Sequence, residues 1–202
     1  MMKLYYSQFT RGHRPRWVLE ELGIPYELLR LDLRKGEHKS PEYLKVHPLG
    51  VVPALEDSNG VLLESGAICL YLADKYADKK LAPAPGTHDR GEYYQWCMFS
   101  LATLEPPIVT LAQHTRFLPE AERQPALAER ARQQLEPALR VLDQELGGRE
   151  FIVGESFSVA DVLVSATLSF ANMFGALAGF PGLQSYMQRH LARPAAQRAY
   201  AD

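Results

Sequence analysis

The stretch Leu81-Ala82-Pro83-Ala84-Pro85-Gly86-Thr87-His88 sets the strongest limit on how this chain can fold. Its prolines and glycine mark a linker, and the residue pattern changes across it. Before it, short apolar runs bounded by turn residues alternate with helical stripes. After it, strand signals almost vanish. Such a chain builds a mixed α/β unit first and an all-helical unit second. Its 202 residues are enough for each to bury a core. The expected division is residues 1–80, a linker over 81–88 and a helical domain over 89–202.

Within the first part the order is strand, helix, strand, short helix, hairpin, helix. Lys3–Tyr6 is an apolar run ended by Ser7-Gln8. Trp17, Val18 and Leu22 form a helical face between Arg14 and Gly23, and the glycine supplies the stop. Tyr26–Leu31 reads as a second strand, and Pro41–Leu44 as one helical turn. Pro53–Glu56 and Val61–Leu63 flank Asp57-Ser58-Asn59-Gly60, a hairpin turn. Glu64–Tyr76 carries Ala67, Ile68, Tyr71 and Leu72 on one stripe.

Beyond the linker, Arg90–His114 reads as an aromatic-rich helix that is apolar on more than one face. Tyr93, Trp96, Met98 and Leu101 offer more apolar surface than one core covers, which predicts a symmetric dimer. Leu127, Ala131, Leu135, Leu139, Leu142 and Leu146 mark a second long helix, which Pro137 should kink. Ser158-Val159-Ala160-Asp161 is a capping-box variant with a structural role.

Charge narrows the function. The formal net charge is -2, with 12 Lys/Arg against 11 Asp/Glu in residues 1–80 and 10 against 13 in the rest. No basic stripe or acidic tail invites nucleic acid or a membrane surface. The two cysteines, Cys69 and Cys97, make neither a disulfide framework nor a CxxC or zinc pattern, and read as buried structural thiols; no metal site is expected. The N-terminus lacks the apolar core of a signal peptide, and no run of about eighteen apolar residues occurs. The expected compartment is the cytosol, and the expected partner a small molecule or protein.

Three segments of the first part carry chemistry. In His47-Pro48-Leu49-Gly50-Val51-Val52-Pro53, a proline at a strand start cannot donate to the ladder. With a cis Val52–Pro53 bond, the Val52 N–H and C=O turn outward and can pair with an extended peptide. A trans turn proline is the plain alternative. Glu64-Ser65-Gly66 opens a helix whose N-terminus is a seat for a carboxylate. The Ser65 hydroxyl adds a donor there, and Glu64 can meet an ammonium, so the pair suits one end of an amino acid. Tyr5 to Arg14 forms a strand-to-helix turn where hydroxyls, a guanidinium and a helix N-terminus could stabilise a thiolate.

The runs PEYLKVHPLGVVPAL, GVLLESGAICLYLADKY and FSVADVLVSATL closely resemble the glutathione transferase family, over essentially the whole chain. The resemblance implies a thioredoxin-like α/β N-terminal domain followed by an all-α helical domain, usually as a homodimer. It implies that Val52 beside a cis-Pro53 holds the cysteinyl part of glutathione, and that Glu64 and Ser65 hold its γ-glutamyl end. His38 stands where related enzymes reach the glycine carboxylate, with Lys39 as the alternative; Arg11 and His13 are auxiliary candidates at the turn that meets the sulfur. Two positions depart from many members: His47 replaces Asn, and Val51 replaces a Lys.

The residue that meets the sulfur stays open among three. Aligning Arg11-Gly12 with the Arg-Gly of some relatives favours Ser7; Thr10 comes next, then Tyr6, which a one-residue shift would select. Strand alternation opposes using both Tyr6 and Ser7. No Cys lies in residues 1–68, which argues against branches needing a cysteine at this turn. A second-substrate pocket is expected from Tyr94, Phe99, Thr103, Phe170 and Phe174. The implied activity is glutathione transfer to a small, largely apolar electrophile, with detoxification as its setting. Glutathione serves as co-substrate, without a metal. Glutathione-dependent disulfide or peroxide reduction and a non-catalytic adaptor are the alternatives.

Overall fold

A computed structural model describes residues 1–201. The chain forms two units, one of Met1–Ala82 joined by the C-terminal stretch from Ala192, the other of Pro83–Leu191.

The first unit runs β1 (Met2–Tyr6), α1 (His13–Leu22), β2 (Tyr26–Arg30), α2 (Pro41–Val46), β3 (Ala54–Asp57), β4 (Gly60–Leu63) and α3 (Ser65–Lys75). The sheet order is β2-β1-β3-β4. β1 pairs parallel with β2 and antiparallel with β3, and β3 pairs antiparallel with β4. Alternation along β1 buries Met2, Leu4 and Tyr6 and leaves Lys3 and Tyr5 half-buried. The ring of Tyr5 packs 5.5 Å from Tyr43 on α2, while Tyr6 meets His13 on α1. Helices therefore lie on both sheet faces, the thioredoxin-like arrangement expected. The hairpin turn closes as its residues predict, with the Asn59 N–H donating to Asp57 Oδ1 at 2.7 Å.

One boundary differs from the sequence reading. The last helix, α9 (Pro194–Tyr200), packs on α1 and not in the helical unit. Arg193 donates to both carboxylate oxygens of Glu21 at 2.7 and 2.9 Å, and Arg198 to Glu20 at 2.6 Å. Tyr200 stacks on the His13 ring, 4.4 Å away and 10° from parallel. These partners are far apart in sequence, so local pattern could not assign the helix.

The second unit contains α4 (His88–Met98), α5 (Glu105–Ala112), α6 (Pro125–Leu146), α7 (Val159–Asn172) and α8 (Pro181–Leu191). The single helix expected over Arg90–His114 is interrupted by wider π turns at Phe99–Leu104 and Gln113–Phe117. Pro106-Pro107 lies just past the first of these, where two missing N–H groups break the ordinary ladder. Tyr93 and Trp96 are buried within this unit and Met98 is exposed, so the first two supply core and not dimer surface. Pro137 lies inside α6 without ending it, because the buried stripe from Ala128 to Leu146 anchors the helix on both sides. At the start of α7 the Asp161 carboxylate reaches back to the Ser158 N–H at 2.8 Å, as the capping pattern predicts. Among the described residues no helix is long and apolar enough to cross a membrane.

Candidate active site

The site is built where β1 and β3 leave the sheet. The Val52–Pro53 bond is cis. Among the described residues, neither the N–H nor the C=O of Val52 has a hydrogen-bond partner. β1 and β3 pair antiparallel with Tyr5 opposite Ala54. Ser7 follows the end of β1, and Val52 precedes the start of β3. The loop ahead of Val52 is held from below: Tyr43 donates its hydroxyl to Val51 O at 2.7 Å, and Gly50 N–H donates to His47 O at 2.7 Å. Gly50 has φ +56, and a Cβ there would stand 2.5 Å from the His38 carbonyl oxygen. Only glycine fits. The buried His47 packs against Tyr43, so this departure from the family pattern sits under the loop.

α3 presents the second feature. Glu64 caps it in a left-handed conformation, φ 69, that holds its side chain exposed. No hydrogen bond reaches the N–H of Ser65, Gly66 or Ala67 among the described residues. Three unpaired donors at the positive end of a helix form an anion seat. Ser65 is buried, and its Oγ accepts from the Arg14 guanidinium at 3.3 Å. The buried Arg14 thus backs the seat with positive charge and leaves the Ser65 hydrogen to donate outward. Nothing local in the sequence marks this contact, because 51 residues separate its partners.

The turn after β1 separates the three candidate hydroxyls. Tyr6 is buried, with its hydroxyl 2.8 Å from His13 Nε2 and the Arg16 guanidinium over its ring. It packs into the core and is withdrawn as a sulfur contact. Thr10 donates to Ser7 O at 2.6 Å and accepts from Gly12 N–H at 3.2 Å, so its hydroxyl ties the turn together. The half-buried Ser7 hydroxyl has no hydrogen-bond partner among the described residues. The opening amides of α1 are already engaged within the turn: Gly12 bonds to Thr10 Oγ1, His13 to Thr10 O and Arg14 to Arg11 O. The expectation that this helix offers open N–H groups is corrected, and the open amides belong to α3.

The remaining candidates divide. Arg11 is exposed on the turn. His38 is half-buried with Nδ1 unpaired, whereas Lys39 donates to Leu49 O at 2.8 Å and closes the loop. The proposed second-substrate residues fall into separate groups. Tyr94 packs on Tyr93 under Arg90, Phe99 packs on Trp96, and Thr103 is exposed. Phe170 and Phe174 pack on each other and on Phe117, and Phe174 belongs to the buried core there. Burial pushes the Cys69 thiol up to about 12, so it is not a thiolate nucleophile at neutral pH, and Cys97 is buried as well. Among the described residues no three His, Cys, Asp or Glu side chains cluster as metal ligands would.

A thioredoxin-like unit with an open backbone edge at a cis-proline and a bare helix N-terminus offers donors and acceptors that an extended, carboxylate-bearing peptide can pair with. Comparison with known proteins identifies the class further. Residues 2–74 match the family described as glutathione S-transferase, N-terminal domain, and residues 103–194 match glutathione S-transferase, C-terminal domain. Glutathione S-transferase F9 of Arabidopsis thaliana is 32% identical, over 80% of this chain and 77% of its own. The disulfide-bond oxidoreductase YfcG of Escherichia coli is 30% identical, over 98% of this chain and 94% of its own. The crystal structure of the glutathione transferase URE2P6 from Phanerochaete chrysosporium, in complex with oxidized glutathione, superposes with TM-score 0.88 at 34% identity, covering 99% of this chain and 94% of that one. The chain belongs to the glutathione transferase family.

Proposed function

We propose that this protein is a glutathione transferase that holds glutathione along the Val52 edge and activates its thiol with Ser7. The observation that carries the reading is an unpartnered Ser7 hydroxyl just past the end of β1, together with unpaired Val52 backbone groups just ahead of its partner strand β3. Val52 would pair with the cysteinyl residue in antiparallel fashion. The amides of Ser65, Gly66 and Ala67 would receive the γ-glutamyl carboxylate, and Glu64 its ammonium. His38 would meet the glycine carboxylate, and Arg11 would be auxiliary. Lys39 is already bonded to Leu49 and is the weaker choice.

A free thiol titrates near pH ~8.5, so lowering its pKa by two units needs about 2.7 kcal/mol of preferential stabilisation of the thiolate. With the α1 amides engaged, the Ser7 O–H is the directional donor. The helix dipole of α1 adds a non-directional contribution. The thiolate then attacks an electrophilic carbon, forming a C–S bond as the leaving group departs with its electron pair. The second substrate would be a small, largely apolar electrophile. The cytosol is the compartment we assign.

The likeness to YfcG and to a transferase crystallised with oxidized glutathione favours one second reading. In it the same thiolate attacks a disulfide sulfur, forming a new S–S bond and releasing the other sulfur as a thiol after protonation. A second glutathione completes the reduction and leaves as oxidized glutathione. No enzyme cysteine is needed. Assays with an aromatic halide and with a mixed glutathione disulfide rank the two chemistries.

Binding itself is tested by retention on glutathione-agarose with elution by free glutathione. Ser65→Ala should weaken glutathione by about 1–3 kcal/mol, the scale for losing a hydrogen bond to a charged group. Unchanged affinity by calorimetry, with the fold intact, would remove Ser65 from the site and leave the backbone amides as the seat.

A homodimer is part of this reading, resting on family kinship and on the exposed Met98 of α4. Sedimentation at micromolar concentration should give twice the chain mass. A monomer would end the dimer proposal.

A further inference from the structure

The geometry points to His13 as a positioning residue that holds the catalytic turn in shape, with Tyr6 and the C-terminal Tyr200 fixing its ring. This inference rests on the reading of Ser7 as the hydroxyl that meets the thiol.

The turn from Ser7 to Gly12 is held by its own bonds only in part. Phe9 sits in it with φ 58, a left-handed conformation that a bulky side chain adopts only at a cost. The same Phe9 is 85% exposed, so no packing of its ring offsets that cost. What holds the turn is Thr10, at two atoms. Its hydroxyl donates to Ser7 O at 2.6 Å, and its carbonyl accepts from the His13 N–H at 3.3 Å and from His13 Nδ1 at 3.0 Å. The imidazole therefore grips the residue that grips Ser7.

The chemistry of this chain of bonds assigns the protons. A carbonyl only accepts, so Nδ1 carries hydrogen whatever the charge of the ring. In the neutral ring Nε2 is then the acceptor, and it faces the Tyr6 hydroxyl at 2.8 Å. Tyr6 is buried at the end of β1 and meets the imidazole edge-on, 5.2 Å and 86°. Tyr200 covers a face of the ring at 4.4 Å, and α9 is itself latched to α1 through Glu20 and Glu21. At Gly12 an added Cβ would stand 2.8 Å from Tyr6 Cδ2 and 3.1 Å from Thr10 Oγ1, so the helix starts directly over these two residues. A buried tyrosine, this histidine and the C-terminal helix thus line up behind one carbonyl in the turn.

Comparing His13→Asn with His13→Gln in the full chain tests this. The Asn amide can stand where Nδ1 stands and keep the bond to Thr10. The Gln amide reaches toward the Nε2 position and loses that bond. The primary readout is the pH titration of thiolate absorbance in the glutathione complex, with glutathione affinity measured beside it. His13→Gln should raise the bound-thiol pKa by about one unit and cut turnover near neutrality about tenfold, while affinity changes less than about twofold. His13→Asn should recover most of that shift. Equal shifts in the two variants, or a larger one in His13→Asn, would overturn the inference.

A measurement on the unaltered protein does not depend on either variant folding. Imidazole nitrogen shifts should report a protonated Nδ1; a ring protonated at Nε2 with a bare Nδ1 would overturn the inference. Ser7→Ala run in parallel separates the two levels. If it leaves the thiol pKa unmoved, the Ser7 reading falls and takes this one with it. If it moves the pKa and His13→Gln does not, only the role of His13 is lost.

Discussion

Ser7→Ala is expected to raise the pKa of enzyme-bound glutathione and to cut turnover near neutrality about 10–100-fold, corresponding to about 1.4–2.7 kcal/mol. Glutathione affinity should stay nearly constant, because the proposed anchors are Val52 and the start of α3, not this hydroxyl. The thiolate absorbance would titrate at higher pH, and turnover would recover as pH rises through the new pKa. Thr10→Ala should have a smaller effect of the same kind, since it frees the Ser7 carbonyl and the Gly12 amide that Thr10 joins. A crippled Thr10→Ala beside a silent Ser7→Ala would transfer the donor role to Thr10. A bound-thiol pKa no lower than that of free glutathione in the unaltered protein would sink activation altogether and move the non-catalytic adaptor to the front.

The largest loss of stability should come from the helical unit. Asp161 is fully buried and accepts from Ile152 N–H at 2.9 Å, Ser158 N–H at 2.8 Å, Ser158 Oγ at 3.1 Å and Tyr186 OH at 2.7 Å. Burial pushes its carboxyl up from the ordinary range, against the pull of these donors. Asp161→Ala strands two backbone amides and two hydroxyls in a dry interior and should cost about 3–5 kcal/mol. That is a large share of the roughly 5–15 kcal/mol that holds a typical native protein. Asp161→Asn is nearly isosteric, yet either orientation of its amide points an NH2 at a backbone N–H. It should still cost about 1–3 kcal/mol. Urea unfolding with an unchanged slope measures both. An Asp161→Asn midpoint within error of the unaltered protein would show that the network contributes shape and not stability.

Much of this architecture was legible because it is written in short-range rules. Alternation along Met2–Tyr6, the Asp57–Gly60 turn, the Gly23 stop and the Ser158–Asp161 cap each depend on neighbours within a few residues, and each appears where its residues predict. The cis bond at Pro53 and the helix start at Ser65 were legible through their motif. The interruption of the helix after Met98 was missed, although Pro106-Pro107 announces it through two absent donors.

The turn after β1 was not legible to that depth. Tyr6, Ser7 and Thr10 carry the same functional group within five residues, and composition cannot rank them. Their ranking depends on what each hydroxyl meets: Tyr6 meets His13, Thr10 meets Ser7 and Gly12, and Ser7 is left open among the described residues. The support for Ser65 comes from Arg14, and the support for α1 from Arg193, Arg198 and Tyr200 at the far end of the chain. The sequence by itself determined the elements, their order and the motif positions, because periodicity, turn conformation and capping are satisfied within one or two turns of chain. Only the tertiary structure decided which hydroxyl stays available, which helix keeps its amides open and where the last helix belongs. Those outcomes turn on strand register and on side chains meeting across long separations, where the competing partners are chemically alike and only position tells them apart.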